Sequence, residues 1–527
     1  MSRLFLVDRK TTFSRLMIAL ALAAFGLRLY HLDYQSLWRD EVDAIRFSSE
    51  PFLNFDSWQS IWGVLTQPGH NGPLYFLTLQ GWRALAGDSV FALRYFSLIA
   101  GVLMAPLIYQ AARRLKLGHL AALIAATLAA TSPYLLWYSQ EAKMYTWLAS
   151  LILLAIYAFQ SALTAQRSGL WWALFVLATS LSFYVHILAP LMTPVYGLWG
   201  LIQWPRLKDH WRGWLISLGF LTLPYLPLLL WQAPLWLNDF SSGHPFYPLR
   251  EQASLLLHLY SAGILRAVFS PYAISLNIFL LLAGFFGFPP LRRLVRPRLQ
   301  VAAWLMIPPL LVYLISLRVT IFEDRYLIYI LPAYYLLTAL GLLVIARQRP
   351  RLTTWLAGLL LLLLLGFNFW AGWLQTSQSI KADFRAAAQY IAAHNALPPL
   401  ADGSATPNPA PLSAGNWPFT LYLPLVSYTS PPVIMFQMPY LQYTFAYYFT
   451  TPYQSMEGLW TNDNRDPADV ARSMTALTAG VDTLWLVVSE EDYWDSRHLT
   501  RQWLDEHGRR ADEAHFVGVS VYRYILR

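Results

Sequence analysis

The sequence predicts an α-helical polytopic membrane protein of about 11 transmembrane helices followed by an extracytoplasmic α/β domain. Three observations predict it. Of the 527 residues, 56% are hydrophobic and only 13% are charged, against roughly 25% charged in soluble domains. The apolar residues fall in runs close to the roughly 20 residues that a bilayer-crossing helix needs. After about residue 371 the runs stop and the composition becomes that of a globular domain.

Eleven runs meet the membrane criterion: 14–32, 91–112, 119–138, 144–164, 170–186, 187–204, 214–232, 272–290, 300–317, 327–346 and 352–371. The fifth and sixth are short and share a turn near His186. Basic clusters test the order. Arg113 to Lys116, Arg167, Arg206 to Arg212, Arg292 to Arg298 and Arg347 to Arg351 each follow an even-numbered run. All five then share a side with the basic N-terminus (Arg3, Arg9, Lys10, Arg15). Short loops rich in Lys and Arg stay in the cytoplasm, so the chain is expected to be a multi-pass protein of the cell membrane with a cytoplasmic N-terminus. No small-x-small cleavage site follows the first run, which reads as an uncleaved helix. The 23 Trp and 31 Tyr suit many membrane–water interfaces. The net charge of +9 lies largely in the topology-setting loops and does not indicate nucleic acid. The absence of Cys excludes disulfides, thiolate catalysis and Cys-ligated metals.

The opposite side receives the loop 33–90, the turn from Tyr138 to Lys143, the loop 233–271, the segment Arg318 to Tyr326 and everything after about 372. The aromatic loop 33–90 (Trp38, Phe47, Phe52, Phe55, Trp58, Trp62) reads either as one or two helices lying in the interface plane or as a wet loop. Residues 1–371 are expected to form the membrane domain and 372–527 a soluble extracytoplasmic domain. In the latter, Asp383 to His394 reads as an amphipathic helix, Leu397 to Pro418 as a Pro/Gly/Asn-rich stretch, and Thr483 to Val488 as a strand. His498 to His507 reads as helical and Ala514 to Leu526 as one further strand. It holds no obvious nucleophile triad or Gly-rich phosphate loop.

Four constellations can carry chemistry. In Ser36-Leu37-Trp38-Arg39-Asp40-Glu41-Val42-Asp43, three carboxylates fall within four residues just beyond the first span. Charge beside hydrocarbon is costly and is kept for chemistry or for paired, hydrated sites. On a helix Asp40 and Asp43 share a face, and Glu41 points about 100° away. One carboxylate can act as a base and another can stabilise a developing cation; the bland reading is a helix N-terminus favoured by the dipole. The second constellation is Gln67-Pro68-Gly69-His70-Asn71-Gly72-Pro73-Leu74-Tyr75, a turn whose His70 could touch a phosphate or a metal, or be structural. The third, Ser132-Pro133 through Tyr145, joins spans three and four. If it is helical, Tyr138, Glu141 and Tyr145 share a face, with Lys143 nearby; otherwise it is a helix end wetted by headgroups. The fourth is Arg318, Glu323, Asp324, Arg325 and Tyr326. Arginine grips phosphate bidentately, and the alternative is an internal salt bridge or snorkelling. Arg94 is a weaker phosphate candidate.

In this order the motifs resemble the GT-C superfamily of glycosyltransferases, in particular the protein O-mannosyltransferases, the lipid A aminoarabinose transferases and the RgtA/B/C/D-like relatives. The resemblance rests on Trp38-x-Asp40-Glu41, His70-x-x-Pro73-Leu74-Tyr75, Phe91-Ala92-Leu93-Arg94, Ser132-Pro133 through Tyr145, Tyr184-x-His186 and Arg325-Tyr326-Leu327, and it covers residues 15–340. It implies an inverting transfer of a sugar from a polyprenyl-phosphate donor to an acceptor hydroxyl at the extracytoplasmic face. The acceptor would be a glycan, lipid or protein, with membrane lipid around the site. It further implies Asp40 as catalytic base with Glu41 as its partner, and a substrate site drawn from Asp43, His70, Tyr138, Glu141, Lys143, His186, Arg325 and Tyr326. Arg325 would hold the lipid phosphate. The resemblance makes no cofactor certain, since family members differ in metal need, and leaves room for a divalent cation, Mg or Mn, on Glu41 and His70. Lys143 stands where the family has Arg, and Asn71-Gly72 departs from its usual linkage. The missing Trp-Trp-Asp-Tyr-Gly motif argues against an oligosaccharyltransferase. A transporter or flippase of lipid-linked sugars is the alternative reading; it would need polar groups along the spans, and here charge gathers at one surface.

Overall fold

Each of the eleven apolar runs carries a helix. The computed structural model describes residues 9–49, 59, 72–237, 244–287, 295–348, 351–395 and 431–526, and these divide into two units. One holds residues up to Tyr34 and Asp43–Gln378; the other holds Gln35–Val42 and Ser379–Arg527. Among the described residues of the first, five helices are long and apolar enough to cross a membrane: Val90–Arg114, Tyr145–Ala162, Val295–Ser316, Asp324–Ala346 (entered through a 3-10 turn, Asp324–Ile330) and Leu352–Ser377. A sixth is the broken pair His119–Thr131 and Pro133–Ser139, bent by 57°. Helices Arg9–Leu29, Gly169–Val185, Thr193–Ile202, Trp211–Leu237 and Ser270–Phe286 fill the remaining runs. The protein is thus an integral membrane protein with a predominantly helical body.

The bend has a local cause. Pro133 disfavours the helical conformation at the residue before it, and Ser132 is extended (φ −59°, ψ 123°). Its hydroxyl restarts the helix by accepting from Leu135 N at 3.1 Å, the usual role of an N-cap serine. The break strands the last carbonyls of the preceding helix. Arg28, fully buried in the first helix, answers them: its guanidinium donates to Ala130 O (2.9 Å), Ala129 O (3.2 Å) and Ser139 Oγ (3.0 Å). Gly101 allows this approach, since a Cβ there would collide with Ser139 Oγ and lie 3.2 Å from Arg28 Nε. The spans are therefore not as free of charge as the hydropathy pattern suggests.

In the aromatic loop, helices Arg39–Phe47 and Pro73–Ala86 are present; Phe52, Phe55, Trp58, Trp62 and His70 lie outside the described residues. Arg83 closes the C-terminal end of the Arg39–Phe47 helix, donating to Ile45 O (3.0 Å), Ser48 Oγ (2.8 Å) and Ser49 Oγ (2.6 Å). A cation there also suits the helix dipole.

The second unit is built on a five-stranded mixed sheet of order β2-β1-β3-β5-β4, with β1 Val433–Phe436, β2 Gln454–Glu457, β3 Thr483–Val488, β4 Gly508–Phe516 and β5 Val519–Leu526. Strands β2, β1 and β3 run parallel, β5 is antiparallel to β3, and β4 is antiparallel to β5. Side-chain alternation sends Ile434, Phe436, Trp485 and Val487 to one face, against helices Phe384–Asn395 and Leu441–Tyr448. Met435, Leu484, Leu486 and Tyr524 point to the other, against Pro467–Leu477 and Leu499–His507. The single strand expected over Ala514 to Leu526 is instead part of a hairpin. Gly518, at φ +66°, completes a two-residue turn between the paired Phe516 and Val519, and positive φ at a turn favours glycine. The Pro/Gly/Asn-rich stretch from Leu397 to Pro418 lies outside the described residues.

Candidate active site

In the helical unit the chemistry gathers where three helices begin or end. Helix Gly169–Val185 stops at His186, which turns extended (φ −153°, ψ 132°) and is fully buried. The turn Glu323 to Tyr326 enters the Asp324–Ile330 3-10 segment. The third edge is the segment between Pro133–Ser139 and Tyr145–Ala162.

That segment corrects one expectation. Tyr138, Glu141 and Tyr145 do not share a continuous helical face, because the helix ends at Ser139 and the chain turns through 140–144, with Lys143 N bonded to Glu141 O at 2.8 Å. The turn still packs Tyr138 against Tyr145 (ring centroids 5.3 Å apart). Tyr326 then bridges the edges, 4.8 Å from the His186 ring, 6.4 Å from Tyr145 and 6.1 Å from His244. Glu141 is fully buried and Lys143 nearly so. Lys143 and Arg325 both sit within electrostatic reach of His186. Tyr138, Glu141, Lys143, His186, Arg325 and Tyr326 thus converge on one neighbourhood.

Asp324 organises it. Its carboxylate accepts from Tyr134 at 2.7 Å and Tyr138 at 3.1 Å, so two phenols serve one buried acid; such groups require partners. Arg325 lies 3.5 Å from Glu323, which also meets His244 Nδ1 at 3.0 Å. Glu323 can therefore help to orient the Arg325 guanidinium. Arg94 is buried and donates to Leu32 O at 3.0 Å. In the sequence Asp324 stands only as a member of the fourth motif and Tyr134 only within the third. The acid directly beside Arg325 was the available signal.

The acidic motif splits by burial. Helix Arg39–Phe47 carries Asp40 and Glu41 in its first turn. Glu41 is fully buried and Asp40 half-buried. Glu41 Oε2 meets Lys381 Nζ at 2.8 Å, and both side chains are shielded from solvent. Asp43 pairs with Arg46 at 3.0 Å on the same helix, an ordinary i,i+3 ion pair. Lys381 was not foreseen.

Residues 69–231 match the family model for dolichyl-phosphate-mannose-protein mannosyltransferase. No curated protein sequence matches the chain. Among solved structures, ArnT from Cupriavidus metallidurans in the apo state superposes with a TM-score of 0.54 at 14% identity, covering 98% of each chain. The same protein bound to undecaprenyl phosphate gives 0.52 at 16%, over 97% of this chain and 98% of that one. An oligosaccharyltransferase of Archaeoglobus fulgidus, in complex with Zn and sulfate, gives 0.58 at 15%, over 96% of this chain and 72% of the other. The likeness to these structures is one of fold. The chain carries the GT-C fold.

The zinc in that archaeal structure poses a fit test here. Among the described residues no three His, Asp or Glu side chains gather as a cation site. The Glu41 carboxylate faces the Lys381 ammonium at 2.8 Å. His70, the other residue of the expected cation site, lies outside the described residues, and no step is routed through a cation.

Proposed function

We propose that this protein transfers a sugar from a polyprenyl-phosphate donor to an acceptor hydroxyl at the extracytoplasmic face, inverting the anomeric centre. The observation that carries the reading is the convergence of Arg325, Lys143, His186, Tyr326 and Tyr138 on one buried neighbourhood in a GT-C fold. A guanidinium held by Glu323 and a nearby ammonium suit a lipid phosphate. Clustered aromatic rings, packed edge-on or tilted, and the buried Glu141 suit a sugar.

In the reaction, the acceptor oxygen attacks the anomeric carbon from the side opposite the phosphate. The bond from that carbon to the phosphate oxygen breaks, and its electron pair leaves with the polyprenyl phosphate. Arg325, assisted by Lys143, neutralises the leaving group, a stabilisation greatest as charge develops. Asp40 removes the acceptor proton; Glu41 supports the turn that carries it. Asp40 and Arg325 are separate assignments and are tested separately.

The test is to incubate purified protein in nanodiscs with a panel of polyprenyl phosphate sugars and candidate glycan, lipid and peptide acceptors, and to measure release of polyprenyl phosphate. Asp40→Asn is expected to abolish release while leaving the melting curve unchanged. Wild-type turnover by that variant refutes the assignment of the base. The buried Arg28 and Arg94 are bonded to fixed backbone carbonyls, which suits a static frame better than a transport path.

A further inference from the structure

The Asp40 motif is built into the sheet unit. Gln35–Val42 groups with Ser379–Arg527, and the contacts are specific. Gln35 Oε1 accepts from Ile380 N (3.0 Å) and Lys381 N (3.3 Å). Ser36 Oγ accepts from Arg385 N (3.1 Å), and Leu37 N donates to Tyr448 Oη (2.7 Å). The Arg39 guanidinium lies 4.2 Å from the Tyr440 ring centre. Lys381 makes two contacts at once, to Glu41 Oε2 at 2.8 Å and to the face of Trp38 at 5.6 Å.

We propose that Lys381 is a positioning residue for transfer, which sets the direction of Asp40 by gripping Glu41. Successive side chains on a helix are about 100° apart. Glu41 is drawn fully inward by the ammonium, and its neighbour must then point away. Asp40 is indeed half-buried rather than enclosed. The turn is coupled to the same lysine through its backbone: Glu41 N and Val42 N both bond to Trp38 O, at 3.0 and 3.2 Å, and the Trp38 ring lies under Lys381. Arginine could reach the same carboxylate. A neutral methionine would leave a buried carboxylate without its cation, and the turn would rotate or loosen to hydrate it. This role rests on Asp40 being the base of the proposed reaction, but the orientation it claims is a physical property that can be measured without any donor.

Because the chain contains no Cys, Asp40→Cys supplies a unique thiol. Its alkylation rate by a water-soluble maleimide is measured in full-length protein, with and without Lys381→Met. Loss of the grip is expected to speed labelling several-fold, and Lys381→Arg to hold the original rate. An unchanged rate in Lys381→Met overturns the proposal. In the background that retains Asp40, kcat of Lys381→Met per folded molecule is expected to fall about a hundredfold, the scale for a reacting group displaced by about 1 Å. KM for the donor stays near wild type, and Lys381→Arg recovers most of the rate. Folded protein is counted by gel filtration and tryptophan fluorescence. Lys381→Met with Glu41→Gln should be no slower than the worse single variant, since both remove one interaction. Faster labelling with an unaltered kcat shows Lys381 to be structural only and overturns the proposal. Wild-type protein that releases no polyprenyl phosphate from any donor sinks the transfer reading instead, and the labelling result still decides whether Lys381 orients position 40.

Discussion

Arg28→Met should destabilise the helical unit and disturb the site at a distance. Arg28 supplies donors to Ala129 O, Ala130 O and Ser139 Oγ, with a fourth contact to Ala24 O at 3.2 Å in its own helix. The Ala24 contact matters least, because that carbonyl belongs to an intact helix. The other two carbonyls belong to the end left open at Ser132. A buried carbonyl without a donor costs about 1–3 kcal/mol. Methionine also relieves the cost of burying a guanidinium, so the net loss is smaller than four charge-assisted bonds suggest, about 2–4 kcal/mol. At roughly 1–2 °C per kcal/mol for a unit of this size, the melting temperature should fall on the order of 3–5 °C at a fixed scan rate. Arg28→Lys should fall between the two, since an ammonium lacks the planar fork. The assay is differential scanning fluorimetry of protein in detergent, paired with polyprenyl phosphate release. A melting temperature within about 1 °C of wild type would refute the account of the broken helix. So would lost stability with full turnover at lower temperature, because the break is what sets Tyr134 and Tyr138 on Asp324.

Gly101→Ala places a methyl 2.8 Å from Ser139 Cβ and should cost about 1–3 kcal/mol by overpacking; Gly26→Ala, with nothing within 4 Å, should gain about 0.5–1 kcal/mol of helix propensity, both read from melting curves. Arg325→Lys keeps the charge and loses the fork, so affinity for the donor lipid should fall roughly tenfold to a hundredfold, the equivalent of about 1.5–3 kcal/mol; an unchanged donor KM would remove Arg325 from the phosphate site. In the sheet unit, burial raises the Glu491 carboxyl above its ordinary value of 4.5, a shift that Arg501 and His498 oppose. The folded state therefore holds this proton more tightly than the unfolded chain. Its contribution is fully present below the unfolded value and is lost as pH rises through the folded one. Glu491→Gln should flatten the melting temperature against pH in the window just above 4.5; a slope equal to wild type there would show that another group controls it.

Much of this was legible because it is local. A run of about 20 apolar residues has one inexpensive solution in a bilayer, which is why every run carries a helix. Thr483–Val488 was readable as a strand, for its β-branched and apolar residues are continuous. Strands β1 and β2 were not: each has four residues, too few for periodicity to register. The hairpin at Val517-Gly518 was hidden because alternation continues on both sides of a two-residue turn. The helix through Tyr138, Glu141 and Tyr145 failed for a different reason. Its residues favour a helix, and the turn at 140–144 is imposed by packing that no window of sequence contains.

The site shows the same division at higher stakes. Residue types announced themselves: an acidic motif after the first helix, an arginine before a late one. Their partners did not. Glu41 and Lys381 lie 340 residues apart, and nothing around Lys381 marks it, since a lone lysine after a membrane helix is the commonest of snorkelling residues. Yet a fully buried carboxylate cannot stand alone, so the burial of Glu41 already demanded a cation from elsewhere in the fold. Two adjacent acids can hardly serve one site identically when their directions differ by about 100°. The one that faces inward must be compensated, and in the proposed reaction the other acts. One acid of Asp40-Glu41 can thus be expected from the sequence to be structural; which one, and what holds it, follows only from contacts within the sheet unit, the Lys381 ammonium above all.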